Sequence, residues 1–192
     1  SVLELYPKGS PMAAYHKALY ASRYDTGLAA SALKEAAACD SKYCFPNKLE
    51  DILALEYALV SSPEDAKAPY YLGCLCYDRR RFAEATALWE KSIGLDDSFP
   101  TVWRNLSLAY YNKSGDSAKA RECMEKAYAL DESDARILLE LDQLYRKLGV
   151  SVQERYDFLT RHRETALQRD DLYVEYVTLL NLLGIRRRMT SS

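Results

Sequence analysis

Residues 69–97 read PYYLGCLCYDRRRFAEATALWEKSIGLDD, and residues 103–132 read WRNLSLAYYNKSGDSAKARECMEKAYALDE. The two stretches share one pattern, because Leu72-Gly73 recurs 34 residues later as Leu106-Ser107. Further pairs recur at a spacing of 35 residues: Ala85 and Ala120, Trp89 and Met124, Ser92 and Ala127, Leu95-Asp96 and Leu130-Asp131. A period in this range is typical of stacked helix-turn-helix units, each of which buries its apolar face against a neighbour. The pattern therefore predicts an all-α array.

Small residues indicate where the two helices of a hairpin cross. Gly73 and Ala85 are small where a close approach is expected, and apolar residues at three-and-four spacing supply the buried stripe. The change of spacing from 34 to 35 residues puts one extra residue between Tyr110 and Ala120. Residues 112–116, NKSGD, are typical of a turn, so we expect the insertion in a loop, where added length costs little.

The chain resembles the tetratricopeptide repeat (TPR) family at the following positions: Leu72-Gly73, Ala85, Trp89, Leu95-Asp96, Trp103, Leu106-Ser107, Tyr110, Ala120, Ala127 and Leu130-Asp131. The resemblance implies an all-α, right-handed superhelix of antiparallel helix hairpins, a TPR-like α-solenoid, over residues 1–192 as a single domain. The expected parts are a divergent hairpin (10–40), an additional helix (45–61), two well-matched repeats (66–99 and 100–134), a degenerate repeat (135–163) and the first helix of a truncated repeat (170–184).

Two segments depart from the pattern. Ala29 precedes Ala85 by 56 residues, one period plus 22, which predicts an additional amphipathic helix between them with Pro46 in its first turn. In the degenerate repeat, Glu154 or Arg155 stands where the family has alanine. This substitution argues against close packing of the two helices there.

A wider resemblance covers roughly residues 10 to 184. It links the chain to the repeat region of large bacterial multidomain proteins through residues 43–50, 110–113, 139–145 and 170–184. In those proteins the array accompanies a β-rich domain of unassigned function, for which a carbohydrate-related role is one interpretation. The resemblance implies that this chain is a piece of a longer bacterial protein.

Charge and composition narrow the function classes. The sequence has 26 basic and 28 acidic side chains and a formal net charge of −2, so no sustained positive field attracts nucleic acid or an anionic membrane. No apolar run reaches the roughly 18 residues of a membrane span. The start, SVLELYP, lacks the features of a secretory leader. These observations predict a cytoplasmic protein that binds neither nucleic acid nor membrane.

The sequence has few of the residues and motifs that are typical of enzyme active sites and metal sites. Five cysteines are an odd number, and His16 and His162 are the only histidines, so no cysteine and histidine cluster has metal-ligand spacing. Packing residues in a reducing cytosol are the expected role of the thiols. The chain also lacks a glycine-rich phosphate loop and a nucleophile elbow. We therefore predict a protein that is not an enzyme and needs no cofactor or metal.

The first helix of each hairpin lines the concave face in the TPR family. The resemblance places nine candidate partner-binding residues there: Lys67, Tyr70, Tyr77, Arg104, Leu108, Tyr111, Arg136, Gln143 and Arg146. Such an aromatic and basic face favours a protein or an acidic peptide, whose carboxylates Arg104, Arg136 and Arg146 would hold. The alternative is that the 16 tyrosines only fill gaps between hairpins.

Other interpretations remain open. The clamp of lysines and asparagines with which some TPR domains hold chaperone tails is matched here only by Asn105, and Glu140 has the wrong charge for it. A second hypothesis is a structural spacer that docks on a domain of a longer parent chain, or forms a homodimer, through a C-terminal helix exposing Leu172, Tyr173, Val177 and Leu180. A third is an enzyme assembled with that domain. The arginine runs 79–81 and 186–188 are typical of solvated helix ends.

Overall fold

The computed structural model describes residues 9–40 and 44–184, and these residues contain helices but no strand. The helices are α1 (Pro11–Ala21), α2 (Thr26–Ala38), α3 (Leu49–Ser61), α4 (Lys67–Asp78), α5 (Phe82–Leu95), α6 (Pro100–Ala109), α7 (Ser117–Leu130), α8 (Ala135–Lys147), α9 (Val152–Arg161), α10 (Arg163–Ala166) and α11 (Asp170–Leu182). The predicted all-α class is confirmed. The helices form two compact units, the first ending at Val102 and the second beginning at Trp103. The arginine run 186–188 lies outside the described residues.

In the first unit, α3 occupies the stretch between the hairpins α1–α2 and α4–α5. A buried hydrogen bond of 2.8 Å joins His16 Nε2 to Asp51 Oδ1 and so attaches α3 to α1. The other oxygen of Asp51 accepts hydrogen bonds from the backbone amides of Asn47 and Lys48, both at 3.0 Å, and caps the helix start. The expectation that Pro46 lies in the first turn is wrong, because α3 begins at Leu49.

The hairpin α4–α5 is closed by an aromatic side chain against a glycine. A Cβ atom at Gly73 would lie 2.6 Å from Trp89 Nε1, so the space beside Gly73 is filled by the indole ring. The same Nε1 donates to the backbone oxygen of Tyr70 at 3.2 Å, which fixes the ring. The small residue at position 73 therefore serves the close approach predicted from the repeat, with Trp89 as its neighbour.

The hairpin α6–α7 absorbs the extra residue inside a helix. A π-helical turn, Tyr110–Ser114, continues from α6 and ends at Gly115. Its closing hydrogen bond runs from the Asp116 amide to the backbone oxygen of Tyr110. The equivalent bond in the hairpin α4–α5 runs from the Arg81 amide to the oxygen of Cys76, so it encloses one residue fewer. The prediction of a loop insertion is therefore wrong in part, because the added residue widens a helical turn.

The hairpin α8–α9 uses a buried ion pair where the preceding hairpins have small residues. Arg155 donates from Nε to Asp142 Oδ1 at 3.0 Å and from Nη2 to Asp142 Oδ2 at 2.6 Å. Its Nη2 also donates to Glu175 of α11 at 2.5 Å. Arg155 and Asp142 are 4% and 0% exposed. The expectation that α8 and α9 do not pack closely is confirmed, because few of their residues approach each other, whereas α4 and α5 lie close together. Asp142 stands at the position of Gly73 and Ser107 and neutralises the buried arginine.

The end of the second unit packs into the same apolar core as α8 and α9. Leu159, Ala166, Leu172 and Leu179 are buried in this core. Leu172 is fully buried, so the expectation that it is exposed on the last helix is wrong. It takes the place that Ile137 has in α8, 35 residues earlier, and points into the core as Ile137 does. The short helix α10 has no counterpart in the repeat pattern.

Candidate functional site

The nine candidate residues are divided between the two units. Lys67, Tyr70 and Tyr77 belong to α4 in the first unit, and the remaining six lie in the second. The surroundings of each group are therefore described within its own unit.

The three candidates of the first unit are engaged in packing. Tyr70 is 7% exposed, and its ring lies 4.7 Å from that of Phe99. The ring of Tyr77 lies 5.0 Å from Phe82 and 5.4 Å from Trp89. The Lys67 ammonium donates to the backbone oxygen of Cys39. Tyr70 and Tyr77 therefore pack against neighbouring aromatic rings, which agrees with the alternative interpretation of the sequence for these two residues.

The three candidate arginines are paired with glutamates of the chain itself. Arg104 donates to both carboxylate oxygens of Glu140 at 2.5 and 2.6 Å, a bidentate pair in which both side chains are less than one-fifth exposed. Arg136 Nε lies 3.3 Å from Glu140 Oε1, and Arg146 Nη1 lies 3.5 Å from a Glu175 oxygen. A ligand carboxylate must compete with these internal partners, and the competition is hardest at Arg104.

Three candidates meet around one pocket of the second unit. Leu108, Tyr111 and Gln143 line a cavity of about 180 Å³. Its other lining residues are Ser107, Asn112, Met124, Glu140, Leu144 and Lys147. We call this cavity the α6–α8 pocket.

The repeat explains why a pocket opens at this place. Ser107 and Met124 stand in the second hairpin where Gly73 and Trp89 stand in the first. The wide indole ring of Trp89 fills the space beside Gly73, whereas Met124 is a narrower side chain. The Ser107 side chain also contacts α7, because its Oγ donates a hydrogen bond to the backbone oxygen of Ala120 at 2.6 Å. Ser107 and Met124 both line the cavity.

The rim of the α6–α8 pocket carries polar groups that the protein leaves available. The side-chain amides of Asn112 and Gln143 form no hydrogen bond within the described residues. The Lys147 ammonium lies 5.2 Å from the centre of the Tyr111 ring, a cation–π distance, and forms no ion pair within the same residues. Sequence reasoning did not select Asn112 and Lys147. Lys147 follows Gln143 by one helical turn, and that spacing was the available signal.

Thiol and metal chemistry find no support in the part of the chain that the structure describes. All five cysteines are free, and no group of three or more His, Cys, Asp or Glu residues there has metal-binding geometry. Burial raises the pKa of the Cys74 thiol to about 11, so this thiol is protonated near neutral pH and is a poor nucleophile. His162 is half-buried, and its ring lies 5.0 Å from Tyr128 and 4.9 Å from Phe158.

No described helix combines the length and the apolar character required to cross a bilayer.

Comparison with known proteins finds relatives of one architecture. No protein-family model matches the chain. A stretch of 102 residues, 50% of this chain, is 31% identical to tetratricopeptide repeat protein 37 of Xenopus laevis, and the match spans only 6% of that protein. MamA is similar in structure, with a TM-score of 0.59 and 19% identity over 82% of this chain and 87% of that chain. MamA from Desulfovibrio magneticus RS-1 is also similar in structure, with a TM-score of 0.54 and 16% identity over 85% of this chain and 79% of that chain.

A further solved structure, YrrB, is described as a TPR protein with an unusual peptide-binding site. It matches with a TM-score of 0.58 and 15% identity over 94% of this chain and 81% of that chain. At these identities the structural matches establish the fold, and what each relative binds is a property of that relative.

Proposed function

Because the chain has the fold of tetratricopeptide-repeat proteins, we propose that it is a non-enzymatic scaffold that binds a peptide or a partner protein through its second unit. The observation that carries this proposal is the α6–α8 pocket, where Leu108, Tyr111 and Gln143 surround one cavity. Stacked helical hairpins commonly use side chains of their first helices to hold another chain.

The lining of the pocket supports one kind of ligand. Leu108, Met124 and Leu144 offer apolar surface, and a cavity of about 180 Å³ has room for one aliphatic side chain. The amides of Asn112 and Gln143 each present a donor and an acceptor, which suits the backbone of an extended peptide. Lys147 forms no ion pair with a carboxylate among the described residues and suits an acidic residue of the ligand. The proposed ligand is therefore an extended peptide with an aliphatic residue next to Asp or Glu.

A selection experiment tests this ligand class. We expect a display library of extended ten-residue peptides, selected on the protein, to be enriched in peptides that combine Leu, Ile or Met with a neighbouring Asp or Glu. The double variant Gln143→Ala/Lys147→Glu is expected to bind the selected peptides about tenfold more weakly or worse, as measured by fluorescence anisotropy, because it removes an amide and reverses a charge.

The matched control is Lys34→Glu, which makes the same charge reversal on an exposed residue of α2 and is expected to leave affinity unchanged. Enrichment of basic peptides, or equal affinity of the double variant and the wild type, would contradict the proposal.

A second candidate function is that of a spacer whose α11 docks on another copy of the chain or on a domain of a longer parent protein. Tyr173, Val174 and Leu182 favour it, since they are 51%, 61% and 67% exposed on this last described helix. Val177 and Leu180 are half-buried beside them.

Self-association through α11 is the testable form of this candidate. We expect the wild type to dimerise in sedimentation equilibrium and Val174→Asp/Leu182→Asp to remain monomeric, because two charges would interrupt the apolar face. Leu167→Asp, at a 47% exposed position outside α11, serves as the control and is expected to dimerise normally. A wild type that stays monomeric at every concentration excludes the homodimer.

The chain spans about 6% of the curated relative that it matches. Any activity of a longer parent protein is therefore a proposal. A bacterial parent with a β-rich domain and an enzyme assembled with that domain stay predictions from the resemblance, and a cytoplasmic location stays a prediction from the sequence composition.

A further inference from the structure

An apolar stripe runs along the outer face of α3 in the first unit. Leu49, Leu53, Glu56 and Val60 are four, three and four residues apart, so their side chains lie on one side of the helix. Leu49, Leu53 and Val60 are 63%, 59% and 82% exposed, and Phe45, just before the helix, is 78% exposed. We call Phe45, Leu49, Leu53 and Val60 the α3 stripe. Exposed apolar residues on one helix face are typical of interaction surfaces, and here the exposed Glu56 separates Val60 from Leu49 and Leu53.

The fold does not need the α3 stripe. The opposite face of the helix supplies the packing, because Ala54, Leu55 and Ala58 are fully buried. Asp51, on that buried face, forms the hydrogen bond to His16. The exposed residues therefore add apolar surface to the solvent without contributing to the core.

An arginine turn lies beside the start of the stripe. Arg79 Nη2 donates to the backbone oxygen of Asn47 at 3.4 Å, and Asn47 lies between Phe45 and Leu49 in sequence. The hydrogen bonds that Arg81 donates to Glu84 raise the pKa of Arg81, and the charge of Glu56 adds a smaller increase, so Arg81 has acidic neighbours.

Arg79 and Arg80 are exposed and form no ion pair within residues 9–40 and 44–184. Arg79, which contacts the start of the stripe, and Arg80, its neighbour in sequence, are thus guanidinium groups without a carboxylate partner in the described part of the chain.

The backbone at Arg80 is unusual. Its φ is +62°, in the left-handed region, and the equivalent positions of the later turns are Gly115, Gly149 and Gly184, with φ of +67°, +77° and +65°. Glycine adopts this conformation without steric cost, whereas arginine does not. Residues held in such conformations cluster at functional sites. An arginine here has a folding cost that glycine would avoid, which is consistent with a role for its side chain outside the fold.

We propose that the α3 stripe, together with Arg79 and Arg80, is a docking surface for an amphipathic helix of a partner protein with aspartate or glutamate at one end. Apolar residues of the partner, spaced three and four apart, cover Leu49, Leu53 and Val60. Its terminal carboxylates pair with the two arginines, which form no ion pair with any acid in the part of the chain that the structure describes. This surface lies in the first unit, so it is separate from the α6–α8 pocket and does not depend on it.

A selection on the full chain tests this surface. The probe is a display library of 18-residue helix-forming peptides with randomised surface positions, and competition with the extended peptides of the pocket separates the two sites. We expect enriched peptides with an apolar stripe and acidic residues clustered at one end. Their affinity is expected to fall about tenfold or more in Leu49→Ser/Leu53→Ser and in Arg79→Ser/Arg80→Gly, measured by fluorescence anisotropy.

The variants are designed to keep the fold. Leu49 and Leu53 are mostly exposed, and glycine at position 80 accommodates the positive φ. Tyr24→Ser/Lys34→Ser removes an exposed aromatic group and an exposed cation elsewhere in the same unit and is expected to bind as the wild type does. Matching circular dichroism spectra verify that all variants are folded.

Four results would overturn the proposal. They are enrichment of peptides without acidic residues, unchanged affinity in both test variants, stripe-dependent sedimentation with phosphatidylserine vesicles without peptide enrichment, and stripe-dependent self-association that the peptides do not compete with. The last two assign the surface to a membrane or to a second copy of the chain.

Discussion

Replacing Arg155 with alanine is expected to lower the free energy of unfolding by about 3–5 kcal/mol, which is the typical cost of leaving one member of a buried ion pair without its partner. Asp142 is 0% exposed, and in the variant its carboxylate would lose both guanidinium hydrogen bonds. Glu175 would lose its bond to Nη2 as well. Urea unfolding followed by circular dichroism measures the change.

The second hairpin suggests how to repair this variant. Its equivalent positions carry Ser107 and Ala120, and the serine hydroxyl donates to the alanine oxygen at 2.6 Å. We therefore expect Asp142→Ser/Arg155→Ala to be at least about 2 kcal/mol more stable than Arg155→Ala, because no buried charge is left.

The control is Arg169→Ala, which breaks an exposed pair with Asp171 and is expected to change the free energy of unfolding far less than Arg155→Ala does, because solvent screens the pair. A double variant no more stable than Arg155→Ala would show that the arginine contributes by its volume and not by its charge.

Replacing Gly73 with alanine is expected to destabilise the first unit by about 1–3 kcal/mol, the usual range for overpacking. The new methyl group would lie 2.6 Å from Trp89 Nε1 and 2.7 Å from its Cδ1, so the indole has to move. Trp89 is 3% exposed and hydrogen-bonded to Tyr70, which leaves it little freedom. This cost outweighs the gain of up to about 1 kcal/mol that alanine brings to a helix over glycine.

Gly94→Ala is the matched control for this substitution. Gly94 belongs to α5, and nothing lies within 4 Å of its potential Cβ. We expect this variant to be more stable than the wild type by up to about 1 kcal/mol, through helix propensity alone. A Trp103→Phe background leaves Trp89 as the only tryptophan, so its fluorescence reports on the first unit during urea unfolding. Equal stability of the two glycine variants would contradict the assigned contact.

The periodic part of the fold was readable from the sequence, and the irregular parts were not. The recurrence of Leu72-Gly73 as Leu106-Ser107 predicted hairpins because small and apolar residues at fixed spacing follow from helix packing. The π-helical turn at Tyr110–Ser114 was missed, since an inserted residue leaves the same trace in a sequence whether it widens a helix or lengthens a loop. The partner of Arg155 was missed because Asp142 lies on another helix.

The candidate site was predictable in part for a related reason. Leu108, Tyr111 and Gln143 meet at one pocket because positions on the same face of neighbouring helices follow from the repeat. The ion pair of Arg104 with Glu140 requires two helices to approach at one particular place, which spacing within a single segment does not specify. Among the cations that form no ion pair within the described residues are Lys147 at the pocket and Arg79 and Arg80 in the turn after α4.

The three hairpins of the repeat region use different chemistry at the same contact: an indole against a glycine, a hydroxyl bonded to a carbonyl, and a guanidinium bonded to a carboxylate. Similar hairpins in one chain can mispair during synthesis, when a helix of one hairpin packs against a helix of another. An arginine paired by mistake with Gly73 or Ser107 would be buried without a counter-charge, which makes that mistake unfavourable. The different contacts therefore favour packing of each helix against the partner helix of its own hairpin, and the helices of the three hairpins are not interchangeable.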